Sequence, residues 1–458
     1  MIKPSLIRGG LPSARESYGK LFALAWPATL ESLFVAVIGF VDTIMVSGLG
    51  AEAISAVGIT TQPKFLMMAA ILSLNIGVTA IVARRRGEGD IYGAIRSLKQ
   101  AILISFCLSL LMSLTSILFA RPLLKLAGAQ PDFIDDGVAY FRIVMAGQFF
   151  ACIGMTMNAA QRGFGNTKIS MRSNAAANLV NILFNYLLIN GIWIFPRLGV
   201  SGAAIATSIG SVIAFIMTLC SLLRHVPGSL TILPSKHSSW RFDKRTVGSI
   251  VNVGSSALVE QLFLRFGFFT FALICANLGT MQFATHQICM NIVHIYFAFA
   301  EGIGIAATSL VGQNLGALRP DLSMMYGNMC QRLAITISAV IAVFFVIFRH
   351  EVIMLFSPDP QIVSLGATIV LIISVMAMFQ SSQSVTFGCL RGAGDSKYLA
   401  IISFISVGII RPGLSYLLCY PLGLGLAGAW LGMLVDQTIR MVLSSCRFAS
   451  NKWSLIKL

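Results

Sequence analysis

The chain has 458 residues, of which 56% are hydrophobic and only 11% charged, against the roughly 25% charged that is usual for soluble domains. Mean hydropathy is +0.83, which excludes an ordinary soluble domain and points to a polytopic membrane protein. The formal net charge of +16 would suggest nucleic acid in a soluble protein, but here the basic residues must first be tested against the excess of Lys and Arg that cytoplasmic loops carry.

Apolar stretches of helical length are expected at 21–47, 54–83, 95–120, 134–158, 169–192 and 200–223, and again at 247–275, 281–310, 324–348, 361–388, 397–420 and 424–446. That makes twelve spans. The first follows a basic lead (Lys3, Arg8, Arg15, Lys20) but is far longer than a signal h-region and has no small-residue cleavage site, so it reads as a retained span. Turns such as Ser47-Gly48-Leu49-Gly50 and Tyr420-Pro421-Leu422-Gly423 break the helices. The longest connector, 224–246, divides an N-terminal bundle, 1–223, from a C-terminal bundle, 247–458.

The halves resemble each other. Arg162-Gly163-Phe164-Gly165-Asn166-Thr167-Lys168 returns as Arg391-Gly392-Ala393-Gly394-Asp395-Ser396-Lys397, 229 residues later. The same offset carries Leu30-Glu31-Ser32-Leu33-Phe34 onto Val259-Glu260-Gln261-Leu262-Phe263 and Gly87 onto Gly316, which marks a duplication. With both termini cytoplasmic, only four of the 33 Lys and Arg fall outside (Arg121, Lys125, Arg197, Arg349) and four deeper within spans (Lys64, Arg142, Arg265, Arg411), the other 25 lying in cytoplasmic segments or at the cytoplasmic ends of spans. The basic excess is therefore topological, and nucleic acid is not expected as a partner. Because six is even, the second half enters the membrane in the same sense as the first. The expected fold is an all-α membrane protein: twelve transmembrane helices in two parallel six-helix bundles related by pseudo-two-fold symmetry, an arrangement that suits alternating access. The R-G-x-G loops fall on the cytoplasmic side, where glycine permits tight turns and the bases meet headgroups. They lack the G-x-x-x-x-G-K-[ST] pattern of a nucleotide loop and read as structural turns.

An ionisable side chain at mid-membrane costs at least about 2.5–3.5 kcal/mol, so each is a functional candidate. Glu31 and Asp42 stand eleven residues apart in the first span, on one helix face about 16 Å apart along the axis. Glu260 lies in the seventh span, with Glu301 and Asp436 nearer the cytoplasmic ends of the eighth and twelfth. In the fifth span Asn174, Asn178, Asn181 and Asn185 form one amide face. Asn174 and Asn178 read as helix glue. Asn181 and Asn185, with a hydroxyl from Thr207, read as hard oxygen ligands that suit a sodium ion or tune a proton-carrying Asp42. Gln287, Asn291, His294 and Glu301 form a polar face in the eighth span, and Gln380, Gln383 and Ser384 another in the tenth; His294 reads as a packed, hydrogen-bonded histidine. Lys64, Arg142, Arg265 and Arg411 are expected to pair with acids or carbonyls. The nine cysteines read as apolar packing residues, and no nucleophile pattern or metal spacing points to an enzyme.

The run Phe40-Val41-Asp42-Thr43-Ile44-Met45-Val46-Ser47-Gly48-Leu49-Gly50, the two R-G-x-G loops and the closing Gly423-Leu424-Gly425-Leu426-Ala427-Gly428-Ala429-Trp430 together resemble the MATE (multidrug and toxic compound extrusion) family over essentially the whole chain. The resemblance implies a V-shaped pair of six-helix bundles in the cell membrane that expels organic, often cationic, compounds in exchange for Na+ or H+, with no other cofactor. It carries the family's first-bundle cation site onto Asp42, Asn181 and Thr207, with Asn185 where an aspartate is common. In one branch of the family the second bundle adds a glutamate, matched by Glu260, and an aspartate, where this chain has Gln380. Glu31, Glu260, Gln287, Asn291, His294, Gln380 and Gln383 are the expected substrate-cleft residues. Glu260 is read as a lone carboxylate that attracts lipophilic cations, its rival role being an ion pair with Arg265 or Arg411. Small organic substrates and membrane lipids are the expected partners, with no obligatory protein partner. The alternative function is a lipid-linked sugar flippase of a related superfamily, which calls for a strongly basic cleft.

Overall fold

The computed structural model describes residues 9–47, 49, 51–192, 195–224, 229–233 and 240–456. The described chain is helical, and its long helices follow the apolar stretches: α1 (Ala14–Ser47), α2 (Ala51–Gly87), α3 (Ile91–Leu118), α4 (Ile134–Phe164), α5 (Thr167–Asn190) and α6 (Gly199–Leu223), then α7 (Lys244–Ala276), α8 (Thr280–Gly316), α9 (Pro320–Ile347), α10 (Pro360–Ala393), α11 (Ser396–Cys419) and α12 (Gly425–Ala449). Among the described residues ten helices are long and apolar enough to cross a membrane. α1 and α5, the latter carrying five asparagines that lower its apolarity, complete the two sets of six. Large apolar side chains such as Leu111, Leu179, Phe269 and Val340 stand exposed on the helix surfaces, as hydrocarbon contact requires.

Each helix end has a local cause. Gly165 and Gly394 take φ of +95° and +87°, conformations that favour glycine, and each backbone N–H returns to the arginine carbonyl three residues back, closing α4 and α10. The first glycine of each loop serves packing instead. A Cβ on Gly163 would fall 2.5 Å from the Thr79 carbonyl oxygen, and one on Gly392 would fall 2.3 Å from that of Thr308. Thr79 Oγ1 donates to Ala159 O at 3.1 Å, and Thr308 Oγ1 to Gly388 O at 2.9 Å. All these pairs are related by the 229-residue offset, so the duplication extends to backbone contacts. The R-G-x-G loops are structural turns, as read from sequence. Their arginines, expected at headgroups, turn inward instead.

Two short helices had no counterpart in the apolar pattern: Ala120–Leu126, which carries Arg121 and Lys125, and Arg349–Met354. They too begin 229 residues apart. α11 is interrupted by a π-helical stretch, Phe404–Ile410, before Pro412. Proline has no N–H to close an ordinary turn and its ring crowds the carbonyl four residues back, so the coil widens there.

The chain divides into two compact units, one of Leu30–Leu258 and the other of Met1–Thr29 with Val259–Leu458. These differ from the ranges 1–223 and 247–458, because the start of α1 packs with the second half and the start of α7 with the first. The turn expected at Gly48 and Gly50, and residues 225–228 and 234–239 of the connector 224–246, lie outside the described residues. What is described of the connector is tied to α3: Lys99 Nζ donates to Leu233 O at 3.3 Å, and Gln100 Nε2 to Arg241 O at 2.8 Å.

Candidate cation site

The amide face of α5 meets the acidic face of α1 twice. Asn174 Nδ2 donates to Glu31 Oε1 at 2.8 Å, and Asn185 Nδ2 to Asp42 Oδ1 at 2.6 Å. Both pairs are 143 residues apart, so the eleven-residue spacing of the acids is matched by an eleven-residue spacing of amides on a helix running in the same direction. One stripe thus serves two carboxylates with different surroundings.

At Asp42 the neighbours are mostly neutral. Asn181 is buried, and with its amide nitrogen toward the carboxylate it donates to Asp42 Oδ1 at 2.7 Å while its oxygen faces Thr207 Oγ1 and the Thr207 N–H, each at 3.2 Å. That orientation is assigned from the hydrogen-bond network. Asn185 is 1% exposed, and its Oδ1 has no hydrogen-bond partner among the described residues. A shielded carbonyl oxygen beside a carboxylate, with an amide and a hydroxyl at hand, is a set of hard oxygen donors that fits Na+; the carboxylate alone fits a proton. The structure therefore brings Asp42, Asn181, Asn185 and Thr207 together. It adds two groups that the sequence reading did not place here: Lys64 on α2 acts electrostatically on Asp42, and Asp42 on the shielded Tyr140 of α4.

Glu31 is different. Its Oε1 accepts from Arg162 Nη1 at 2.9 Å, Ser170 Oγ at 2.7 Å and Asn174. The second half repeats the ion pair at the 229-residue offset, where Glu260, fully shielded, accepts from Arg391 Nη2. Glu260 is therefore not the lone carboxylate expected, and its partner is neither Arg265 nor Arg411. Both glutamates are fixed by the arginines of the R-G-x-G loops. The signal was in the sequence, since one offset maps Glu31 onto Glu260 and Arg162 onto Arg391.

The remaining substrate-cleft candidates separate into two groups. Gln287, His294 and Glu301 are exposed on one face of α8 with Asn291 half-buried between them, whereas Gln380 and Gln383 are buried in α10. His294 is thus not packed. The packed histidine is His286, 3% exposed, with ring centroids 5.3 Å from Phe271, 5.9 Å from Phe283 and 5.6 Å from Trp430. The four bases within spans find partners: Arg411 binds Asp436, Arg142 Nε donates to Ile117 O at 3.2 Å, Arg265 engages Glu301 electrostatically, and Lys64 engages Asp42.

The repeat seen in these contacts is also a family repeat. A MatE family model matches the chain twice, over residues 27–187 and 257–417. The chain belongs to the MATE family. It is therefore a multi-pass membrane transporter and not an enzyme. Similar proteins include the probable multidrug resistance protein NorM of Thermotoga maritima, 27% identical with 98% of this chain and 96% of the relative covered. The multidrug resistance protein PmpM of Pseudomonas aeruginosa is 27% identical with 97% and 93% covered, and the uncharacterized transporter YisQ of Bacillus subtilis 26% identical with 94% of each covered. Among solved structures, an outward-facing multidrug resistance MATE family transporter of the MOP superfamily superposes with a TM-score of 0.88 at 21% identity over 98% of both chains. A MOP superfamily transporter from Pyrococcus furiosus also reaches 0.88, at 20% identity over 95% of this chain and 97% of its own. These likenesses carry the MATE fold of two six-helix halves.

Proposed function

We propose that this MATE protein is a secondary antiporter of the cell membrane that exports organic, lipophilic cations in exchange for Na+ or H+, with Asp42, Asn181, Asn185 and Thr207 as its coupling site and both termini cytoplasmic. The observation that carries this reading is the convergence on Asp42 of two buried asparagines, one with an unpartnered carbonyl oxygen. Asp42 takes the coupling cation or proton, Asn185 Oδ1 supplies a second oxygen, the Asn181 N–H steadies the Asp42 carboxylate, and Thr207 holds Asn181 in register. A bare carboxylate within a span is expensive, so Lys64 supplies the balancing charge when the transported cation has left. The relatives named for multidrug resistance support an organic substrate.

The amides, His294 and Glu301 on the open face of α8 suit a cationic compound better than the acidic pyrophosphate of a lipid-linked sugar, which calls for bases. Uptake of a cationic dye into inverted vesicles, with a sodium or a proton gradient imposed separately, tests the proposal. One gradient should drive uptake in the wild type, and Asp42→Asn should abolish it while expression and thermal stability persist. Wild-type rates in Asp42→Asn would refute the assignment of the site.

A further inference from the structure

The second half contains a buried charge cluster that the coupling site does not use. Within α11, Arg411 directly follows the π-helical stretch, and its Nε and Nη2 both donate to Asp436 Oδ2 of α12, at 2.9 and 2.5 Å. Arg440, one turn further along α12, donates from Nη2 to the same oxygen at 3.1 Å. From the π-helical stretch Ser406 donates to the Asp436 main-chain carbonyl at 3.1 Å and contacts its carboxylate. Arg411 and Asp436 are fully shielded and Arg440 is 4% exposed. Two guanidinium groups thus share one carboxylate.

The other described acids of this unit that lie near a base are committed elsewhere. Asp321 holds Arg319, Asp395 holds Arg447, Glu301 engages Arg265 and Glu260 holds Arg391. Glu260 also acts electrostatically on Arg440, so the local group is Arg391, Arg411 and Arg440 against Glu260 and Asp436. That leaves one positive charge in excess. On the two arginines that share Asp436, two donors remain unspent as well, since Arg411 Nη1 and Arg440 Nε have no hydrogen-bond partner among the described residues. Both belong to guanidinium groups already fixed on Asp436, so they are held in place. An excess buried charge with idle N–H donors is costly unless a counter-charge joins it. Water would satisfy the donors but not the charge.

We propose that Arg411 and Arg440 hold a small monovalent anion of chloride size, a site separate from the cation site of the first half and independent of its assignment. The same pair of spans, fifth and sixth in each half, then carries opposite chemistry: Asn181 and Thr207 beside a carboxylate in one, two arginines around a carboxylate in the other.

The test is the thermal unfolding midpoint of the purified full chain in detergent, titrated with sodium chloride or bromide against sodium gluconate at constant sodium, ionic strength and pH. Chloride and bromide should raise the midpoint saturably and gluconate should not. Arg440→Gln, which removes the excess charge, should weaken the apparent halide affinity at least tenfold without lowering the midpoint in gluconate. Crystals of the wild type grown in bromide give a check that needs no variant, with an anomalous peak expected within hydrogen-bond reach of Arg411 Nη1 or Arg440 Nε. Equal midpoints in chloride and gluconate, a rise that does not saturate below molar salt, an unchanged halide response in Arg440→Gln, or bromide absent from this cluster would each overturn the proposal.

Discussion

Glu260→Gln separates a carboxylate that reads substrate from one that holds the fold. Glu260 is fully shielded and Arg391 is 24% exposed at its side chain, so the variant leaves a largely buried guanidinium with no opposing charge. Breaking a buried ion pair by removing one partner costs about 3–5 kcal/mol. The partial exposure of Arg391 and its stacking over Phe387, with the guanidinium 5.8 Å from the ring centroid, place the loss at the lower end, about 3 kcal/mol, or roughly a hundredfold in the folded-to-unfolded ratio. The assay is denaturant or thermal unfolding of the detergent-purified protein for Glu260→Gln, Arg391→Gln and the double variant, alongside binding of a cationic and a neutral dye. Each single change should destabilise, the double should recover most of the loss because no unpaired charge remains, and the two dyes should weaken together. Unaltered stability in Glu260→Gln with selective loss of the cationic dye would refute the structural pairing and return Glu260 to the substrate.

Asn181→Ala removes an amide in contact with Asp42 and should raise the cation concentration for half-maximal transport roughly tenfold, the worth of one hydrogen bond to a charged group; an unchanged dependence on vesicle cation concentration would make the amide stripe a packing feature. Lys64→Met removes the charge that competes with the coupling cation for Asp42, so the same measurement should move several-fold in the opposite direction. Asp243 accepts from the Thr246 hydroxyl at 2.6 Å and the Arg245 N–H at 3.1 Å at the start of α7, and these bonds, the Thr246 one foremost, hold its carboxyl below the usual 3.8. Its contribution is therefore present above about that pH and lost as the pH falls further. Asp243→Ala should cost about 0.5–2 kcal/mol at neutral pH, a difference from wild type that shrinks in unfolding measured under acid conditions.

The helices and the duplication were legible because both are written in local pattern: apolar runs long enough to span, and one offset shared by distant motifs. The amide stripe was legible too, since four asparagines at helical spacing on an apolar helix must face inward. What pattern does not contain is which of two faces a neighbour covers. His294 lies on a helical face with Gln287 and Asn291 as its spacing implies, yet that face is open, and His286 on the other side meets Phe271 and Trp430. Arg440 falls within the twelfth expected span, and its position four residues after Asp436 already allowed the pair that the structure makes. The loop arginines were misassigned because a basic residue at a helix end ordinarily meets headgroups, whereas here Arg162 and Arg391 each turn to a shielded glutamate, Glu31 and Glu260.

The division of α1 between the two units has a consequence for biosynthesis. Leu21, Leu24 and Ala25 belong to a core with Ile303, Leu310, Tyr326 and Phe387, and a Cβ on Gly302 would fall 2.4 Å from Thr29 Cα. Residues 30–258 can close as a unit once position 258 has been inserted, while the segment before them has no native core to join until the chain reaches Ile303, about 280 residues after that segment itself was made, or roughly 14–56 s at ordinary rates of synthesis. The start of α1 therefore finds its neighbours well after the rest of the same helix has found its own, and for that interval lipid or the insertion machinery has to shelter its face.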